Sequence, residues 1–102
     1  MTGATCCDFN EFVKAMADET RQRILTLLRR GEMNESDIVA RLDLTQPTIS
    51  HHLALLRRAN LVSVRRQGKY VFYRANLACV TKGCSEILSH FKIPSGRLPR
   101  SP

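Results

Sequence analysis

The stretch Leu44-Thr-Gln-Pro-Thr-Ile-Ser-His-His-Leu-Ala-Leu-Leu56 constrains this chain more than any other part of it. Thr45 is a suitable helix N-cap, because its hydroxyl can accept from the unpaired amides of a first turn. Pro47 is tolerated in that turn, where its missing N–H costs no helical bond. Ile49, Leu53 and Leu56 follow at spacings of four and three, which makes one apolar stripe. At about 100° per residue, Pro47, Ser50, His51, Ala54 and Arg58 point the other way. That outer face carries small side chains, hydrogen-bonding groups and a cation. Such a surface suits base edges in a DNA groove better than it suits a protein core.

The segments before it supply helices to cover the stripe. Asp8 to Ala17 reads as a first helix, with Phe9, Phe12, Val13 and Met16 on one face. Asp18 caps a second, Glu19 to Arg30, with Ile24, Leu25, Leu27 and Leu28 inward and Gly31 as its stop. Asn34-Glu-Ser-Asp37 has the form of a capping box and opens a third helix, with Ile38, Val39 and Leu42 inward. Asp43-Leu44-Thr45 is then the turn of a helix-turn-helix.

After Asn60 the period changes. Leu61-Val-Ser-Val-Arg65 alternates, and Lys69-Tyr-Val-Phe-Tyr-Arg74 is a second β-rich run, with Gln67-Gly68 marking a tight hairpin between them. Arg65, Arg66 and Lys69 cluster at its tip. A basic hairpin directly after a groove-reading helix is a wing. Asn76 caps a last helix from Leu77 to about Phe91, with an apolar stripe of Leu77, Val80, Cys84, Ile87, Leu88 and Phe91, and Pro94 ends it. The expected fold is mainly α with a β-hairpin wing, a winged helix-turn-helix of order ααααββα. Its expected organisation is a flexible cysteine-bearing segment over residues 1–7, one domain over 8–92 and a disordered tail over 93–102.

The 16 Lys+Arg against 9 Asp+Glu leave a net charge of +7, which favours a polyanionic partner. No run approaches the ~20 apolar residues of a membrane span. The first residues lack the basic and apolar regions of a signal peptide, so the expected compartment is the cytoplasm. No nucleophile–base pairing, paired carboxylates or phosphate-cradling glycine loop stands out, so an enzyme is not expected.

Three stretches, at these spacings and in this order, resemble the ArsR/SmtB family of winged helix-turn-helix repressors. They are Met16-Ala-Asp-Glu-Thr-Arg-Gln-Arg-Ile-Leu25, Leu44-Thr-Gln-Pro-Thr-Ile-Ser-His-His-Leu53, and Leu61-Val followed by Arg66-Gln-Gly-Lys-Tyr-Val-Phe-Tyr-Arg74. The resemblance covers about Asp8 to Phe91. It implies a homodimer joined through the first and last helices, and repression relieved by a small inorganic or redox signal. It implies that Gln46, Thr48, Ser50 and His51 approach bases or flanking phosphates of operator DNA. Arg65, Arg66 and Lys69 would meet the backbone or minor groove.

The sensor is expected in the thiols. His51 and His52 are adjacent, about 100° apart on the helix, and are poorly placed to share an ion. His52 flanks the apolar stripe as a packing residue. The family's thiolate pair on the third helix has no counterpart in Glu32-Met-Asn-Glu-Ser-Asp37. Its carboxylate and histidine site on the last helix is met only by Glu86 and His90. Four cysteines remain as candidate ligands: Cys6, Cys7, Cys79 and Cys84. Cys6 and Cys7 are consecutive and can converge on one soft ion. Cys79 and Cys84 lie about 140° apart on a helix and cannot share one. By its place on the stripe Cys84 also reads as a core residue, which leaves Cys79 the freer to bind. In the dimer that the resemblance implies, Cys6 and Cys7 can meet Cys79 or Cys84 across the interface. Three thiolates suit As(III) or Sb(III) as inducer, and a fourth ligand suits Cd(II) or another soft metal ion. Relatives that sense arsenite often carry an adjacent cysteine pair in the last helix, where this chain has Gly83-Cys84. Two other readings stay open: a thiol redox or persulfide switch on the same fold, and a winged-helix protein-interaction module without an operator.

Overall fold

A computed structural model describes residues 8–91 of the chain. Residues 1–7 and 92–102, with Cys6, Cys7 and the expected tail, lie outside the described residues. The elements are α1 (Phe9–Met16), α2 (Glu19–Leu28), β1 (Met33–Asn34), α3 (Glu35–Leu42), α4 (Gln46–Arg58), β2 (Val62–Gln67), β3 (Tyr70–Ala75) and α5 (Leu77–His90). This is a winged helix-turn-helix, and α4 is the helix expected in Leu44–Leu56 behind the Thr45 cap, extended at its end to Arg58.

Short polar side chains start the helices. Asp18, Asn34, Thr45 and Asn76 each accept from a backbone amide three residues on, as their local sequence predicts. Asp8 does the same for α1. Left-handed backbone sets the two bends around α4. Asp43 (φ 55°) turns the chain between α3 and α4, and Asn60 (φ 61°) turns it from α4 into the wing. Both residue types tolerate this region better than most.

Ile24, Leu28, Ile38, Ile49, Leu53, Leu56, Leu61 and Val62 are fully buried and form the centre of the core. The three apolar residues of α4 are thus its anchor, fixed against α2, α3 and the root of the wing. None of the described helices is long and apolar enough to cross a membrane.

Four local expectations change. First, the wing is part of a three-stranded antiparallel sheet of order β1-β3-β2. Met33 pairs with Tyr73 and Asn34 with Phe72, so β3 is the central strand. A two-residue strand is too short to show a period. Second, the hairpin turn is Gly68-Lys69, because Gln67 is already paired with Tyr70. Gly68 there has φ 62°. Third, α2 ends at Leu28, two residues before the expected Arg30.

The fourth change concerns α5. Its buried residues are Cys79 and Gly83, with Val80 and Ile87 packed beside them. Leu77 and Phe91 are exposed, and so is Cys84, which the apolar stripe had placed inward. The reason is Gly83. A Cβ at this position would stand 2.5 Å from the Phe12 ring, so only glycine lets α1 approach this closely. The helix docks on the face that has room for Phe12, and that face is not the one with the most apolar surface. Val13 of α1 is likewise exposed rather than inward.

Candidate nucleic-acid interface

The outer face of α4 is exposed along its length. Gln46, Pro47, Thr48, Ser50, His51 and Ala54 are all solvent-accessible, while Ile49, Leu53 and Leu56 are buried behind them. Thr48 belongs to the capping turn: its amide donates to Thr45 Oγ1 at 3.4 Å, and the two hydroxyls lie 2.8 Å apart. Ser50 donates its hydroxyl to Glu35 Oε2, and Gln46 Nε2 donates to the same oxygen at 3.4 Å. Glu35 is the first residue of α3, where an acid suits the positive end of the helix. No sequence period reveals its reach across to α4.

His51 and His52 divide as their positions on the helix require. His51 is exposed, and its ring meets that of His52 edge-on at 5.5 Å. The His52 side chain is only 13% exposed. Its Nδ1 lies 3.2 Å from Arg21 Nη1 and 3.8 Å from Asp18 Oδ2. A guanidinium can only donate, so Nδ1 accepts and the ring is neutral. Burial holds the His52 pKa below its usual value, although Asp18 pulls the other way. The Arg21 amide donates to Asp18, and this is the main reason the Asp18 carboxyl is held below the usual range. Arg21 also donates to the backbone oxygens of Ala15 (2.7 Å) and Lys14 (3.3 Å). One arginine therefore ties the end of α1 to the middle of α4.

The wing cations differ in setting. Arg66 and Lys69 are exposed, with the Lys69 ammonium 6.0 Å from the Tyr70 ring centre. Arg65 is engaged by Glu32 in a two-point ion pair, with Nη2 at 2.6 Å and Nε at 3.1 Å. Its guanidinium also lies over the Phe72 ring at 4.8 Å. The pair lowers the Glu32 pKa and raises that of Arg65. Arg65 thus fastens the wing to the loop before β1, a role its place at a basic hairpin tip does not reveal.

Of the candidate ligands among the described residues, Cys79 is 3% exposed and disulfide-bonded, while Cys84 is exposed and free. This reverses the expectation that Cys79 is the freer of the two. They lie on opposite sides of α5, as their spacing requires. Amide groups surround Cys79 Sγ: Asn76 Nδ2 at 3.3 Å and Asn60 Nδ2 at 3.7 Å. Asn76 Nδ2 also donates to the Asn60 carbonyl at 3.0 Å. The start of α5 is thereby joined to the turn that follows α4. His90 stacks on Phe9 and its Nδ1 lies 2.8 Å from the Glu86 backbone carbonyl, so the imidazole is used within the fold. Among the described residues, no group of three His, Cys, Asp or Glu side chains is placed to hold a metal ion.

A capped, core-anchored helix with an exposed polar face, beside a basic wing, defines a winged helix-turn-helix DNA-binding protein. Residues 18–64 match the profile of the bacterial regulatory protein, arsR family. The transcriptional repressor SdpR of Bacillus subtilis (strain 168) is 40% identical over 67 residues, covering 66% of this chain and 74% of SdpR. The arsenical resistance operon repressor of Escherichia coli (strain K12) is 49% identical over 65 residues, covering 63% of this chain and 56% of that repressor. An ArsR-like transcriptional regulator from Rhodococcus sp. RHA1 superposes with a TM-score of 0.73 at 31% identity, covering 82% of this chain and 78% of that one. The matched segment thus spans about half to three quarters of the curated relatives. The chain belongs to the ArsR family of transcriptional regulators.

Proposed function

We propose that the protein is an operator-binding repressor whose grip on DNA is governed by its thiols. The observation that carries this reading is the outer face of α4: exposed Gln46, Thr48, Ser50 and His51 over a fully buried Ile49–Leu53–Leu56 anchor. Gln46, Thr48, Ser50 and His51 are assigned to bases and flanking phosphates. Arg66 and Lys69 are assigned to the DNA backbone. Arg65 reaches DNA only from within its pair with Glu32, and so acts first by holding the wing. The working form is a homodimer through α1 and α5. In its support, Val13 of α1, Leu77 of α5 and the α5 C-cap Phe91 are 43%, 48% and 72% exposed. Two-fold symmetry then presents two copies of α4 to half-sites about 34 Å apart.

The inducer is As(III) or Sb(III), held by Cys79 together with Cys6 and Cys7. Exposed Cys84 lies on the other side of α5 and is left out of this set. Ligation of Cys79 acts on the Asn76–Asn60 contacts and so on the end of α4. The inducer must favour one dimer shape over the other for any release to follow. A second reading is favoured by the disulfide at Cys79, namely that its oxidation state sets operator affinity. Fluorescence anisotropy on labelled operator separates the two. Arsenite added to fully reduced protein releases DNA if metalloid ligation is the signal. Release only by a mild oxidant, reversed by dithiothreitol, supports the redox reading. Absence of sequence preference for any DNA, at every salt concentration, refutes operator binding itself.

A further inference from the structure

Glu35 is an acid on a surface assigned to a polyanion, and the helix dipole explains only its backbone position. Its side chain does something else: one oxygen, Oε2, accepts from both Ser50 Oγ and Gln46 Nε2. These residues are four apart and so share a face of α4. An ionised carboxylate can only accept, and a serine hydroxyl has one proton to give. With that proton committed to Glu35, Ser50 offers outward lone pairs alone. Gln46 is held through its amide nitrogen by the same oxygen. An open cleft of about 530 Å³, lined among others by Glu35, Ser50, Arg57, Arg58 and Tyr73, adjoins the pair. Arg57 and Arg58 bring positive charge to the same cleft.

We propose that Glu35 is a specificity-determining residue, fixing Ser50 as an acceptor and so selecting an amino-bearing base, adenine or cytosine, at the operator position Ser50 faces. The chemistry follows from the major-groove pattern. Adenine N6 and cytosine N4 donate there, whereas guanine O6 and thymine O4 accept. An acceptor facing an acceptor leaves two desolvated groups unpaired, which costs more than the lost bond alone. Glu35 acts through Ser50 and Gln46 without touching the base.

The inference rests on operator binding, and the test keeps the two apart. Full-length wild type, Glu35→Gln, Glu35→Ala and Ser50→Ala are each used to select sites from a randomised duplex library, which is then sequenced. Ser50→Ala marks the position, as the one whose base preference flattens. At that position wild type favours adenine or cytosine over guanine or thymine by roughly tenfold. Glu35→Gln can donate to Ser50 and frees the hydroxyl proton, so the preference falls below about threefold or inverts. Glu35→Ala levels it. Preferences are ratios within one protein, so a change in overall affinity or stability does not mimic the effect. Glu35→Asp, with a carboxylate too short to reach the hydroxyl, reads the same position should Glu35→Gln fold poorly. Unchanged adenine or cytosine preference in the Glu35 variants, with only a position-independent gain in affinity, overturns the role of Glu35 and leaves operator binding standing. Failure of wild type to enrich any sequence overturns both.

Discussion

Replacing Gly83 with alanine should destabilise the domain, against the usual direction for a glycine inside a helix. Removing a mid-helix glycine ordinarily gains about 0.5–1 kcal/mol. Here the added methyl would stand 2.5 Å from three atoms of the Phe12 ring, where ordinary contact begins near 3.4 Å. The ring must retreat by about 1 Å. It is 3% exposed and stacks on Phe9 with ring centres 6.5 Å apart, so it has no open space to enter. Overpacking of this kind costs about 1–3 kcal/mol. The net loss is then about 1 kcal/mol, or a fall of about 4–8 °C in Tm for a domain of this size. Thermal melting by circular dichroism at one fixed protein concentration measures it. The control is Phe12→Leu, which removes the ring edge that the methyl meets. Gly83→Ala should cost less in that background, a coupling that a double-mutant cycle detects. Equal or higher stability of Gly83→Ala, or strict additivity with Phe12→Leu, would refute the account of how α5 docks.

Three further outcomes are expected. Burial lowers the His52 pKa in the folded state, so unfolding takes up a proton below the ordinary histidine value. Stability is then flat above pH ~6.5 and declines as the pH falls below it. Urea midpoints between pH 7.5 and 5.5 show this decline in wild type and much less of it in His52→Gln; equal slopes would remove His52 as the cause. Arg66→Ala and Lys69→Ala should each weaken operator binding equally at preferred and random sites, and reduce the slope of log K against log salt by about 1. A slope unchanged in both variants would place the wing off the phosphates. Leu56→Ala, at a fully buried position in α4, should cost about 2–5 kcal/mol by denaturant unfolding while leaving base preference in library selection unchanged.

Much of the frame was legible because its signals are local. Asp18, Asn34, Thr45 and Asn76 announce their helices within three residues, and the Ile49–Leu53–Leu56 spacing orients α4 without reference to anything else. The misreading of α5 has a definite cause. A stripe ranks helix faces by apolar side chains, and Gly83 has none, yet its vacancy decides which side meets Phe12. That docking leaves Cys79 buried and Cys84 exposed, the reverse of the expected order. Arg65 was legible as a wing cation, but its partner Glu32 lies 33 residues away and leaves no pattern. The link from Glu35 to Ser50 spans 15 residues across a turn, and was equally out of reach.

Asn34 occupies two elements at once. It pairs with Phe72 in the sheet, and its side chain caps α3 by accepting from the Asp37 amide at 2.8 Å. The wing's central strand and the first helix of the helix-turn-helix are therefore joined through a single residue. This sets the unit of exchange for engineering new operator preferences. Transplanting Gln46–Arg58 alone would place foreign side chains against a resident Glu35 and a resident wing. A graft running from Glu32 through Ala75 would carry the strand, the cap, both helices, the hairpin and the acid that holds Arg65 in their native register.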